Sequence, residues 1–86
     1  MPGYTITFAR SARKELQSLP IDVAERLLKK IELLNINARP AGSKKLSGAT
    51  DLWRIRVGDY RVVYQIDDNR RIVDVTVVRH RRDVYR

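Results

Sequence analysis

The sequence predicts an α+β fold with the order β-α-α-β-β-β: an antiparallel sheet meander with a helical hairpin packed on one face. Two patterns predict it. The stretch LWRIRVGDYRVVYQI, Leu52 to Ile66, alternates apolar and polar residues on both sides of Gly58-Asp59. Between Ala24 and Leu34 the apolar residues instead recur at helical spacing. The chain of 86 residues suits one small domain with one core, residues 1–86.

Tyr4 to Phe8 alternates, with Tyr4, Ile6 and Phe8 on the core side, and reads as a strand. Ser11 is the expected N-cap of a short helix to about Leu19, with Ala12, Leu16 and Leu19 as its apolar stripe. Pro20 ends it, because the residue before proline avoids the helical region. A second helix starts near Asp22, a capping residue, and runs to about Asn35. Its stripe is Ala24, Leu27, Leu28, Ile31 and Leu34; Arg26, Lys29, Lys30 and Glu32 form the wet side. Asn37 to Ala49 reads as loop, punctuated by Pro40, Gly42 and Gly48, with Leu46 as anchor.

The central hairpin has a definite register. Gly58 supplies the positive φ of a two-residue loop. Val57 then pairs with Tyr60, Arg56 with Arg61, Ile55 with Val62 and Trp53 with Tyr64. One face is aromatic and β-branched; the other sets Arg56 against Arg61, with Arg54 two residues along. After the turn Asp67-Asp68-Asn69-Arg70, residues Arg71 to Val78 read as a further strand. A two-residue loop there pairs Tyr64 with Val73, Val62 with Val75 and Tyr60 with Val77; a four-residue loop keeps the same parity. Strict alternation puts His80 on the Arg61 face and Arg81 on the other. Arg81 reaches the Arg61 face only if the strand ends or twists before it.

The formal net charge is +8 and the pI about 10.5, which points to a polyanionic partner. Arginine heavily outnumbers lysine, favouring bidentate phosphate recognition. Like charges directly opposed destabilise a hairpin by about 0.2–1 kcal/mol, a cost that an anion bound between them offsets. The chain has no cysteine and one histidine, so Cys-zinc, two-His and thiolate chemistries are excluded, and no motif calls for a cofactor or metal. No apolar run is long enough for a membrane span and no signal-peptide core is present; a cytoplasmic location is expected. Lys44 and Lys45 are either a solvated pair or nucleic-acid contacts. The basic tail HRRDVYR follows the last strand and brings His80, Arg81 and Tyr85 toward the arginine face. Together with Arg54, Arg56 and Arg61, these groups are able to hold a phosphodiester, stabilise extra charge on phosphorus and transfer a proton.

The runs KLSGATDLWRIRVGDYRVVYQIDD and VVRHRRDVYR, with YTITFARSARKELQSLP at the start, resemble the RelE branch of the RelE/ParE toxin superfamily. The resemblance covers essentially the whole chain. It implies a toxin of a type II toxin–antitoxin system. The activity implied is that of a ribosome-dependent, metal-independent endoribonuclease, an mRNA interferase that inhibits translation. Such toxins cleave mRNA in the A site by 2′-hydroxyl attack. They are held inactive by a cognate acidic, RelB-like antitoxin in a hetero-oligomeric complex. By this resemblance Arg61 stabilises the transition-state phosphate, Arg81 is the general acid and Tyr85 stacks on the substrate base. Arg54 and Arg56 are the substrate contacts; Lys44 and Lys45 are candidates for the same role by their charge alone, with the solvated pair as the other reading. Arg54 and Arg56 stand where the best-studied branch has lysines, one of them a proposed base. A guanidinium is a poor proton acceptor, which leaves His80 as the alternative base. A ParE-like gyrase inhibitor and a non-catalytic nucleic-acid-binding module are the other readings.

Overall fold

The computed structural model describes residues 3–46 and 51–84. Strand β1 (Thr5–Phe8) leads into helices α1 (Arg10–Ser18) and α2 (Ile21–Glu32), the second ending in a 3-10 turn at Leu33–Asn35. Strands β2 (Lys44–Lys45), β3 (Leu52–Val57), β4 (Tyr60–Asp67) and β5 (Ile72–His80) follow, then a short helix α3 (Arg81–Val84). One sheet has the order β1-β5-β4-β3-β2. The meander β2 to β5 is antiparallel, whereas β1 adds to β5 in parallel and makes the sheet mixed. The two helices carry the chain from β1 at one edge of the sheet to β2 at the other, so β1 pairs not with the next strand in the chain but with the last, β5.

Both helices pack on one face. Ala12 and Leu16 of α1, Leu27 and Ile31 of α2, and Leu34 bury against Ile55, Val57, Val62, Tyr64, Ile66, Val73, Val75 and Val78. The helix starts differ from expectation. Ser11 lies inside α1, whose N-cap is Ala9; Pro20, not Asp22, is the N-cap of α2, and neither cap has a side-chain hydrogen bond. Pro20 suits that place because the N–H it lacks would have had no partner there. Asp22 sits in the first turn, where its negative charge interacts favourably with the positive end of the helix dipole. The stretch read as loop contains β2, which pairs Lys44 with Arg54 and Lys45 with Trp53.

The β3–β4 register is the expected one, and Gly58 has φ +59 in its two-residue loop. The β4–β5 register is not. The turn closes on Asp67↔Ile72, a four-residue loop, so Tyr64 faces Val75 and not Val73. The Arg70 N–H donates to Asp67 Oδ1 at 3.0 Å, and Arg71 takes a left-handed φ of 57° to complete the turn. A β-bulge then intervenes: Val63 faces Val77 and Tyr64 faces Val75, leaving Thr76 as the extra residue. Its hydroxyl and carbonyl are satisfied, since Thr76 Oγ1 donates to the Val63 carbonyl at 3.2 Å and Ser11 Oγ donates to the Thr76 carbonyl at 3.0 Å. The physical reason for the bulge is burial. Strict alternation would expose Val78 and turn Arg79 into the core; the bulge buries Val78 and leaves Arg79 exposed.

Candidate nucleic-acid interface

The face away from the helices is read directly from the registers. Arg56 pairs with Arg61, and Arg61 with Arg79. These three guanidinium-bearing residues therefore form one row across three adjacent strands, spaced by the roughly 4.8 Å of a sheet ladder. The next row is Lys44, Arg54, Val63 and Val77. β4 is the middle strand of five, so Arg61 stands at the centre of the sheet. Arg56 and Arg79 are exposed; Arg54 and Arg61 are half-buried. Among the described residues, no ion pair involves Arg56, Arg61 or Arg79. The half-exposed valines between the cations offer an apolar floor, a surface suited to a sugar-phosphate chain with its bases laid across.

Acids gather toward the far end of the long strands, with Asp59 in the hairpin loop as the exception. Each long strand has a basic residue at one end and an acid near the other: Asp51 precedes β3, Asp67 ends β4 and Asp74 lies early in β5. Arg39 organises that far end. It binds Asp68 through both oxygens, at 2.9 and 3.3 Å, lies 3.6 Å from Asp51 and stacks 5.2 Å from the centroid of Trp53. Tyr4 Oη donates to the same Asp68 at 2.6 Å. The hydrogen bond from Arg39, then that from Tyr4, holds the Asp68 carboxyl below its ordinary range, and the Arg39 guanidinium is raised chiefly by Asp68. Burial, the largest influence, pushes the Tyr64 phenol up; its hydroxyl donates to the Ala38 carbonyl at 2.8 Å.

The sequence-derived candidates divide. Arg54, Arg56, Arg61 and Lys44 share the open face. Lys45 pairs with Trp53 and belongs to the helix side of the sheet. His80 is also on the helix side, contrary to strict alternation, because the bulge shifts its parity. It pairs with Tyr60, meets that ring edge-on at 5.1 Å, and lines a cleft of about 190 Å³ with Val23, Arg26, Leu27, Val57 and Asp59. The strand ends at His80 and Arg81 opens α3, the condition under which Arg81 can reach the arginine face. Tyr85 lies outside the described residues. Arg79 is the residue that sequence reasoning missed. Its only sequence signal is the doublet Val77-Val78, which breaks the alternation.

An arginine row on a small basic mixed sheet, backed by a helical hairpin, defines the architecture. Residues 6–85 match the family described as ParE toxin of type II toxin–antitoxin system, parDE. Toxin RelE of Mycobacterium tuberculosis is 33% identical over 85 residues, covering 96% of this chain and 87% of the relative. Among solved structures, the RelE-RelB complex of the archaeon Pyrococcus horikoshii matches with a TM-score of 0.81 at 30% identity, over 92% of this chain and 96% of that one. A variant of Escherichia coli toxin RelE in the free state matches with a TM-score of 0.80 at 32% identity, over 96% of this chain and 90% of that one. The chain belongs to the RelE/ParE superfamily of type II toxins, as a RelE-like toxin.

Proposed function

We propose that this toxin is a ribosome-dependent endoribonuclease that cleaves mRNA in the A site. The observation that carries the reading is the row Arg56-Arg61-Arg79, three guanidinium groups on one open face with no acid in the row. RNA brings its own nucleophile, the 2′-hydroxyl. Attack on the adjacent phosphorus adds charge to the phosphoryl oxygens, and donors fixed in advance around them lower that barrier. Arg61, flanked on both sides, stabilises the pentacoordinate phosphorus; Arg56 and Arg79 clamp the neighbouring phosphates. The 2′-hydroxyl releases its proton to solvent water as the O2′–P bond forms, the P–O5′ bond breaks to leave a 2′,3′-cyclic phosphate, and Arg81 is the candidate proton donor to the departing 5′-oxygen. Arg54 and Lys44 extend the contact along the chain, and Tyr85 is the proposed stacking group. Lys45 supports the edge strand. The site of action is then the cytoplasm, where translating ribosomes are.

The partner proposed is an acidic, RelB-like antitoxin that orders on this face and neutralises it, as the complex from P. horikoshii pairs RelE with RelB. Its affinity falls with added salt and with charge reversal at Arg56, Arg61 or Arg79; calorimetry across salt concentrations measures this. The family model is named for ParE, so the decisive experiment carries two arms. Reconstituted translation with primer extension on ribosome-bound mRNA detects A-site cuts, and a supercoiling assay detects gyrase inhibition. Cuts in the first arm support the reading; inhibition in the second arm alone replaces it with the ParE-like activity.

A further inference from the structure

We propose that His80 is a positioning residue: its imidazole caps α3 and so fixes where Arg81 stands at the end of the sheet. This rests on the ribonuclease reading and deepens it. A helix start leaves its first N–H groups without partners. A four-residue helix bearing Arg81 and Arg82, just after Arg79, has little to hold it together by itself. Among the described residues, two bonds anchor it. The Arg81 N–H donates to the Asp59 carbonyl at 2.7 Å, tying the helix start to the hairpin loop. The Arg82 N–H donates to His80 Nδ1 at 3.1 Å, the bond an N-cap makes to the second helical residue. The ring is held in turn by its edge-on contact with Tyr60, which the Thr76 bulge places opposite.

This geometry leaves the imidazole badly placed to be the base. Nδ1 is engaged, and the ring lies on the helix side of the sheet while Arg61 lies on the other. His80 therefore acts through Arg81. An asparagine at this position keeps a strong capping oxygen and has no proton-transfer capacity. The test compares wild type, His80→Ala and His80→Asn in single-turnover cleavage on programmed ribosomes, with 15N relaxation of the Arg82 amide in the free toxin as a second readout. His80→Ala is expected to slow cleavage by roughly 3- to 30-fold, the change that loss of an N-cap makes in a helix equilibrium, and to mobilise the Arg82 amide. His80→Asn is expected to restore the rate to within about threefold of wild type and to restore amide order. Two slow variants of equal rate overturn the proposal in favour of a base, and an Arg82 amide as ordered in His80→Ala as in wild type overturns it outright. If wild type does not cleave, the ribonuclease reading fails alone, and the amide readout still decides whether His80 is the cap.

Discussion

Arg61 is the residue on which the proposed chemistry is tested most directly. It is the middle member of its row and half-buried. A donor that engages fully only with the developing charge changes the chemical step more than binding. Arg61→Ala is expected to lower the single-turnover rate by about 10²–10³ while ribosome affinity changes far less; equal losses in rate and affinity would make it a simple clamp. Tyr64 tests the core at the same scale. It is fully buried, and its hydroxyl satisfies the Ala38 carbonyl. Tyr64→Phe keeps the packing but orphans that carbonyl, and should cost about 1–3 kcal/mol in urea denaturation. Trp53, across from Tyr64, is only half-buried and carries Arg39 on its ring. Trp53→Ala therefore falls at or below the lower end of the range for core aromatics, about 2–3 kcal/mol.

At the scale of elements, the bulge in β5 sets the site. A single extra residue, Thr76, exchanges the faces of every residue after it. Arg79 joins Arg61, Val78 enters the core, and His80 meets Tyr60. Deleting Thr76 restores strict alternation at the expense of either exposing Val78 or slipping the pairing with β4. The deletion should destabilise the domain by several times the roughly 1 kcal/mol expected for Thr76→Ala, which removes only the hydroxyl bond. Chemical denaturation of the two variants compares them directly. A deletion no worse than Thr76→Ala would mean that the strand tolerates either parity.

At the scale of the molecule, the charges are sorted lengthwise. The open face is basic at the hairpin end, while Asp51, Asp67 and Asp68 gather with Arg39 at the other. Polyanion binding should thus be strongly salt-dependent, and single Gln replacements at Arg56, Arg61 and Arg79 should each reduce the salt slope on RNA by about one. Equal slopes would mark these arginines as bystanders. The acidic end governs pH behaviour instead. Asp68 binds its proton less readily in the folded chain than an ordinary carboxyl does, because Arg39 and Tyr4 bind its charged form. Its contribution is present above the ordinary aspartate pKa of about 3.9 and fades as pH falls below it. Asp68→Asn should flatten the acid limb of the stability profile while leaving the alkaline limb unchanged.

Much of this was legible in the chain itself. Alternation around Gly58-Asp59 determined the β3–β4 register and placed Arg56 against Arg61, because a two-residue loop admits only one pairing and the apolar face must be buried. The helical stripes identified the residues that cover the sheet. The resemblance in GDYRVVY and HRRDVYR pointed to the superfamily. Tertiary structure alone decided the parity of the last strand. Local pattern treats Val77-Val78 as a minor irregularity, whereas packing weighs a buried valine against a buried arginine and admits the bulge. For the same reason the Val77-Val78 doublet was the one trace of Arg79 in the sequence, and the cap at His80 left none. Which face a residue takes after a bulge depends on the core on the other side of the sheet, and no local spacing encodes it.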